Sequence, residues 1–393
     1  MVEFNPYDPQ TAENPYPVYR QLRDDAPVYH NPAMNFWALT RHADVMEAHR
    51  DNKTYSSTGG MTIEGVEKGM PMLILKDEPE HRWHKALVTK VFTRQRMGDL
   101  EPYIRQRVRT LIDTVAEKGE FDFVKDFAVQ LPLDVISEMI GIPTEVRDDI
   151  HRYSNRIVMR SAEHGLAEVM EAHQTLHSIY LGLIRDRRAN PRDDVITMLM
   201  NAEEPDETGT ARRMSNDELA ARFGELAFAG HETVAKAIPN GAMAFHAFPD
   251  QWQRLVSGEI KPVQAVDEIL RYDPPSQLQG RTTTREVELH GVTIPEGIKI
   301  MLITGAATRD ERAFEDPDRF DVGRDNDVSA IYFGYGIHRC LGFHLARLEI
   351  RVAFEELLVR MPNFEIDPAR ATRAALSNVR GVATLPARAG LRN

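Results

Sequence analysis

Apolar residues change their spacing several times along this chain. From about residue 80 to 260 they recur every three to four positions, the pattern of helices that bury one stripe. Within that stretch, residues 217–248 predict one long helix, with Leu219, Phe223, Leu226 and Gly230 on a single face. Polar, turn-rich breaks interrupt it at Asn190-Pro191-Arg192-Asp193 and Glu203–Gly209. At 281–304 the pattern becomes strand-like, and Val287, Leu289, Val292 and Ile294 flank His290-Gly291 as in a hairpin. Helical spacing returns over 341–361 and stops before Pro362. Nearer the start, Tyr16 to Leu22 predicts a first helix, and Phe36-Trp37-Ala38-Leu39 a strand entering a helix over Asp44–Arg50. Residues 56–76 mix Gly59, Gly60, Gly65, Gly69 and Pro71 with Met61, Met70 and Met72, which reads as an irregular, partly apolar loop. Without repeats or an interdomain linker, the chain is expected to form one domain, 1–393, mainly α with small β-sheets.

Composition narrows the function. A net charge of −12 argues against nucleic-acid binding. The longest apolar runs, such as Met70–Leu75 and Ile179–Ile184, are far too short to span a membrane. The opening Met1-Val2-Glu3-Phe4-Asn5-Pro6 has no basic and apolar leader pattern. A single cysteine rules out an intrachain disulfide and fits a reducing compartment. A cytoplasmic monomer without a membrane role is expected.

That cysteine, Cys340, lies in Phe333-Gly334-Tyr335-Gly336-Ile337-His338-Arg339-Cys340-Leu341-Gly342. A lone cysteine is ordinarily a small buried hydrophobe. Here two glycines permit a tight loop, and a helix opens directly afterwards. A helix N-terminus favours a thiolate, which can be a nucleophile or a metal ligand.

Three other segments stand out. Ala229-Gly230-His231-Glu232-Thr233 sets an acid beside an alcohol inside an apolar helix. The pair is either a solvated Glu with a back-bonded Thr or a proton relay. Gly230, lacking a side chain, is expected to leave a groove for a small molecule or water. Glu268 and Arg271 face the same side of a helix and can pair. Asp316-Pro317-Asp318-Arg319-Phe320 offers a further guanidinium, Arg319. In Pro239 the long helix contains a residue that cannot donate to the carbonyl of Ala235, so a kink or break is possible there.

In this order and spacing the four segments closely resemble the cytochrome P450 family of haem-thiolate monooxygenases, over essentially the whole chain from Asn14-Pro15-Tyr16 onward. The cysteine loop matches at Phe333, Gly334, Gly336, His338, Cys340 and Gly342, and the long helix at Ala229, Gly230, Glu232 and Thr233. The resemblance implies the cytochrome P450 fold, with haem b between the long central helix and the helix after the cysteine loop. It implies Cys340 as axial thiolate, its sulfur hydrogen-bonded by the N–H groups that follow, with Phe333 and Gly342 packed beside it. It places His81, Arg281 and His338 at the haem propionates. Lys85 stands where the family usually has Arg, keeping the charge without the two-pronged geometry. Glu268, Arg271 and Arg319 would form a salt-bridge cluster behind the haem. Thr233 would hold dioxygen and Glu232 feed protons.

No flavin or iron–sulfur domain is fused, so a separate ferredoxin is the expected electron donor. Its docking would use Arg94, Arg96, Arg105, Arg109, Arg339, Arg347 and Arg351. The substrate expected is a hydrophobic small molecule of terpenoid, steroid, fatty-acid or aromatic type. Contacts would come from Met61, Met70, Met72, Val158, Met159, Phe228, Gln277, Leu278 and Val379, with Arg160 or Gln277 anchoring a polar group. Two alternatives stand beside this: a haem-binding sensor or carrier without turnover, and a cysteine hydrolase using Cys340 and His338.

Overall fold

The computed structural model describes residues 2–64, 71–158, 166–325, 330–374 and 378–390. The helices that position the site are α1 (His42–Arg50), α2 (Glu80–Thr89), α3 (Gln130–Ile140), α4 (Thr144–Val158), α5 (Asn216–Ala247), α6 (Pro262–Tyr272) and α7 (Phe343–Arg360). The main sheet has five strands, β1 (Val28–Asn31), β2 (Phe36–Leu39), β3 (Tyr55–Ser56), β4 (Leu278–Thr283) and β5 (Lys299–Ile303), in the order β1-β2-β5-β4-β3. Only β5 on β2 is parallel; the other pairings are antiparallel.

The 32-residue α5 runs through the middle of the main core. It starts on a capping box: Ser215 Oγ accepts the N–H of Glu218 at 3.2 Å, and the Glu218 carboxylate accepts the N–H of Ser215 at 2.8 Å. Pro239 does not end it. The helix continues unbroken to Ala247 because its second half is buried on all sides. Gly241 lets neighbouring helices approach, since a Cβ there would lie 2.9 Å from Phe354 of α7 and 3.0 Å from Ile269 of α6.

The predicted hairpin forms with Val287 opposite Ile294 and Leu289 opposite Val292. Its turn residues His290 and Gly291 take φ of 53° and 75°, as a tight two-residue connection requires. In the segment expected to be an irregular loop, Leu73–Leu75 forms a short 3-10 turn. The stretch before it is fastened to the sheet: Lys299 donates to the carbonyls of Gly59 at 2.5 Å and Gly60 at 3.1 Å. Gly280 donates to the carbonyl of Met61 at 2.8 Å.

Candidate active site

Two glycines and one close approach shape the cysteine loop. Gly334 and Gly336 adopt φ of 69° and 67°, a region glycine enters without steric cost. A Cβ on Gly336 would stand 2.3 Å from the carbonyl oxygen of His49, so only glycine lets the loop rest on the end of α1. The N–H of Cys340 donates to the Phe333 carbonyl at 2.9 Å and closes the loop, and Gly342 is the N-cap of α7. The cysteine is accessible, yet protein surrounds it. Burial pushes its thiol up, while the Gly342 N–H and the Lys85 and Arg339 cations pull it back toward the thiolate.

Beside the loop lies a buried group of cations and imidazoles. Arg281 on β4 is 4% exposed, and among the described residues no carboxylate forms an ion pair with it. One Nη donates to the carbonyl of Gly280 at 2.7 Å, and burial lowers the guanidinium to about 10. His338 is pushed down to about 2 by burial and then by Arg281, His81, Lys85 and His49. His81 is held at about 4 by burial and then by Lys85, and its ring centroid is 4.3 Å from that of His338. Ser57 Oγ lies 2.9 Å from His338 Nε2. Lys85 is turned onto the cysteine loop, where its ammonium donates to the carbonyl of Ile337. A cavity of about 590 Å³ runs along α2 past His81 and Lys85 to Ile337.

A buried guanidinium with no ion pair among the described residues and only the charge of Asp77 acting on it, beside a half-buried ammonium, stabilises an anionic group brought next to it. Haem carries two such groups, its propionates, and the adjacent sulfur suits its iron. The residues present therefore fit haem. No local motif marks His49 in the sequence; among the described residues both its ring nitrogens are buried without a partner, and burial with Arg281 holds it at about 3.

On α5, Ala229 is exposed and Phe228 and Thr233 are half-buried, although buried residues flank them on the same helix. No hydrogen bond engages the Thr233 hydroxyl among the described residues. Glu232 is 9% exposed, with its carboxylate 3.6 Å from the Lys236 ammonium. The groove expected at Gly230 is absent. A Cβ there would lie 2.7 Å from Ile136, so the glycine serves the close packing of α3 on α5.

The Glu268–Arg271 pair is fully buried at 2.7 Å. Arg271 also donates to the carbonyls of Thr308 at 3.0 Å, Pro317 at 2.8 Å and Arg319 at 3.1 Å. The second guanidinium on Glu268 is Arg324, at 3.3 Å. This corrects the expectation for Arg319, whose side chain is exposed and which joins the cluster through its carbonyl.

Several expected substrate contacts move. Leu278 points into a core with Phe4, Tyr19 and Phe36, because alternation along β4 turns it away from Arg281. Gln277 is 3% exposed and donates to the Pro274 carbonyl at 2.7 Å. Together with Val379 it lines a cavity of only about 30 Å³ against the N-terminal segment. Met61 and Met72 remain partly exposed. Met70, Met159 and Arg160, and the side chain of Val158, lie outside the described residues.

The arginine patch also narrows. Arg105 pairs with Glu101 at 2.7 Å, Glu355 at 2.6 Å and Glu356 at 2.8 Å. Arg109 holds Glu356 at 2.9 Å, Arg351 holds Glu355 at 3.0 Å, and Arg347 holds Asp267 at 2.8 Å. Arg94, Arg96 and Arg339 have no ion pair among the described residues. Arg94, Arg347 and Arg339 lie close enough to His344 to help burial lower it.

The sequence profile described as cytochrome P450 matches residues 28–244 and 263–391. Cytochrome P450 123 of Mycobacterium tuberculosis is 38% identical over 392 residues, 97% of this chain and 96% of that protein. The steroid C26-monooxygenase of Mycolicibacterium smegmatis is 36% identical, covering 89% of this chain and 86% of that protein. A solved cytochrome P450 from Chondromyces apiculatus superposes with a TM-score of 0.90 at 31% identity, over 100% of this chain and 99% of its own. With this cysteine loop and the cations beside it, and with matches over nearly the whole chain, the chain belongs to the cytochrome P450 family and is a haem-thiolate monooxygenase.

Proposed function

We propose that the enzyme hydroxylates a hydrophobic molecule of steroid or terpenoid type, with electrons from a separate ferredoxin. When bound, haem supplies activation of O₂ for insertion of one oxygen atom into a C–H bond. Cys340 would hold the iron, Arg281 would neutralise the propionates, and the uncharged His81 and His338 would orient them. Thr233 would supply a hydroxyl that both accepts and donates, and Glu232 would supply the protons. The Thr233 hydroxyl, which makes no hydrogen bond among the described residues and follows a buried acid in the chain, carries this reading, since it is not engaged in the back-bond to the preceding turn that a helix threonine can make.

The substrate class rests on the partly exposed Met61, Met72 and Phe228 and the exposed Ala229, which are apolar and, in the methionines, adaptable. The 36% identity to a steroid C26-monooxygenase supports the same class. Arg94, Arg96 and Arg339, unpaired beside the cysteine loop and α7, suit an acidic ferredoxin. No helix among the described residues is long and apolar enough to cross a membrane.

Turnover reconstituted with ferredoxin and its reductase tests the proton role. Thr233→Ala should keep consuming reductant while releasing peroxide in place of product. Coupling equal to that of the unaltered enzyme would overturn the role of Thr233.

A further inference from the structure

The central helix carries one more charge next to its acid–alcohol pair. Lys236 lies one turn beyond Glu232, with Nζ 3.6 Å from Oε1, and the two residues are 8% and 9% exposed. Glutamate preceding lysine by four residues is the favoured order on a helix. Burial raises the stakes, because removing one partner leaves an uncompensated charge.

The other carboxylate oxygen, Oε2, faces Nε2 of His231 at 3.8 Å. His231 Nδ1 lies 2.9 Å from the Ala227 carbonyl. A carbonyl only accepts, so Nδ1 carries the hydrogen, and burial keeps the ring neutral. Nε2 therefore presents a lone pair to Glu232 and cannot hold it by donation. From α4, His151 stacks on His231 with ring centroids 5.9 Å apart and is likewise kept neutral by burial, at about 3. Lys236 is thus the one cation in an ion pair with Glu232 among the described residues.

A second observation comes from the other side of the lysine. A Cβ on Gly381 would stand 2.6 Å from Lys236 Cδ and 2.7 Å from its Cβ. The lysine stem runs across the space that a side chain at 381 would fill. The neighbouring Arg380 is directed away, to Asp273 at 2.9 Å.

We propose that Lys236 is a positioning residue for the proton-relay acid: its ammonium holds the Glu232 carboxyl group in one orientation, and Gly381 leaves the lysine stem room to do so. The proposal rests on the reading of Glu232 as that acid. A displaced Glu232 delivers protons to the relay at Thr233 less reliably.

The test compares Lys236→Met, Lys236→Arg, Gly381→Ala and Glu232→Gln in the haem-loaded protein. One readout is the partition of reductant between product and peroxide. The other, independent of turnover, is the infrared carboxylate stretch of Glu232, taken as the difference between each variant and the same variant carrying Glu232→Gln. Lys236→Met should lower coupling roughly tenfold and shift that stretch. Lys236→Arg should restore most of the coupling. Gly381→Ala, which leaves both ionisable groups in place, should lower coupling in the same direction and carries the test if Lys236→Met does not fold. Unaltered coupling, or an unshifted carboxylate stretch, in Lys236→Met, or in Gly381→Ala where that variant carries the test, would overturn the proposal, provided Glu232→Gln is impaired. Full coupling in Glu232→Gln would instead overturn the role of the acid itself.

Discussion

Glu225 Oε2 accepts the backbone N–H of Leu73 at 2.9 Å, fastening the apolar segment before α2 to the helix that bears Thr233. Its other oxygen accepts from Ile74 at 3.1 Å. Behind it Arg222, with a fully buried side chain, pairs with the same carboxylate and donates to the Pro71 carbonyl at 3.3 Å. Glu225→Ala strips two N–H groups of their acceptor and leaves a buried guanidinium unpaired, at a cost of about 3–5 kcal/mol. Amide exchange at Leu73 and Ile74 should accelerate and substrate affinity should fall. Unchanged exchange at both amides would show that the segment is held by something else.

Gly336→Ala should damage the thiolate loop without touching the thiolate. The backbone there is at φ of 67°, and the new Cβ would meet the His49 carbonyl at 2.3 Å. Left-handed backbone alone costs about 1–2 kcal/mol for a residue with a side chain. Faster transfer of haem to an apo-globin acceptor is expected. Transfer at the rate of the unaltered protein would contradict the loop geometry.

The buried ion cluster predicts an order of severity. Glu268→Ala, which abandons the Arg271 and Arg324 guanidiniums together, should destabilise by about 3–5 kcal/mol. Arg324→Ala should cost less, because Arg271 still holds Glu268 at 2.7 Å. Arg319→Ala should change little, since that residue contributes its carbonyl. Denaturant midpoints of the three variants check the order, and a severe Arg319→Ala would contradict it.

Charge reversal separates docking from folding. Arg96→Glu should slow electron transfer from ferredoxin, with an effect that fades as salt rises. Arg109→Glu places a carboxylate against Glu356, which Arg109 now holds at 2.9 Å, and should lower thermal stability. Stopped-flow reduction and thermal melts read the two outcomes; equal effects on electron transfer would remove the distinction.

A panel of steroids, terpenoids and fatty acids tests the substrate class. Steroids or terpenoids should displace the iron's water ligand and give saturable Soret shifts. A response to fatty acids alone would contradict the proposed class.

The elements that the sequence reveals are those whose local pattern and chemistry agree. Apolar spacing over 217–248 marks α5, alternation around His290-Gly291 marks the hairpin, and the glycines around Tyr335 mark the cysteine loop. What stays hidden depends on partners far away in the chain. Gly230 looks like a groove until Ile136 is seen to fill it. Arg319 and Arg324 are equivalent on paper, and only folding decides which side chain reaches Glu268. The arginines at 105 and 109 look available for a partner until Glu356 is found between them. The role of Lys236 depends on its burial and on its path beside Gly381, which only the fold brings together.

The central claim is that Cys340 ligates haem iron as a thiolate. The most direct measurement is the absorption spectrum of the purified, reduced protein under carbon monoxide. The account predicts a strongly red-shifted Soret band that disappears in Cys340→Ala. An unshifted band, or one that survives the loss of Cys340, would contradict it.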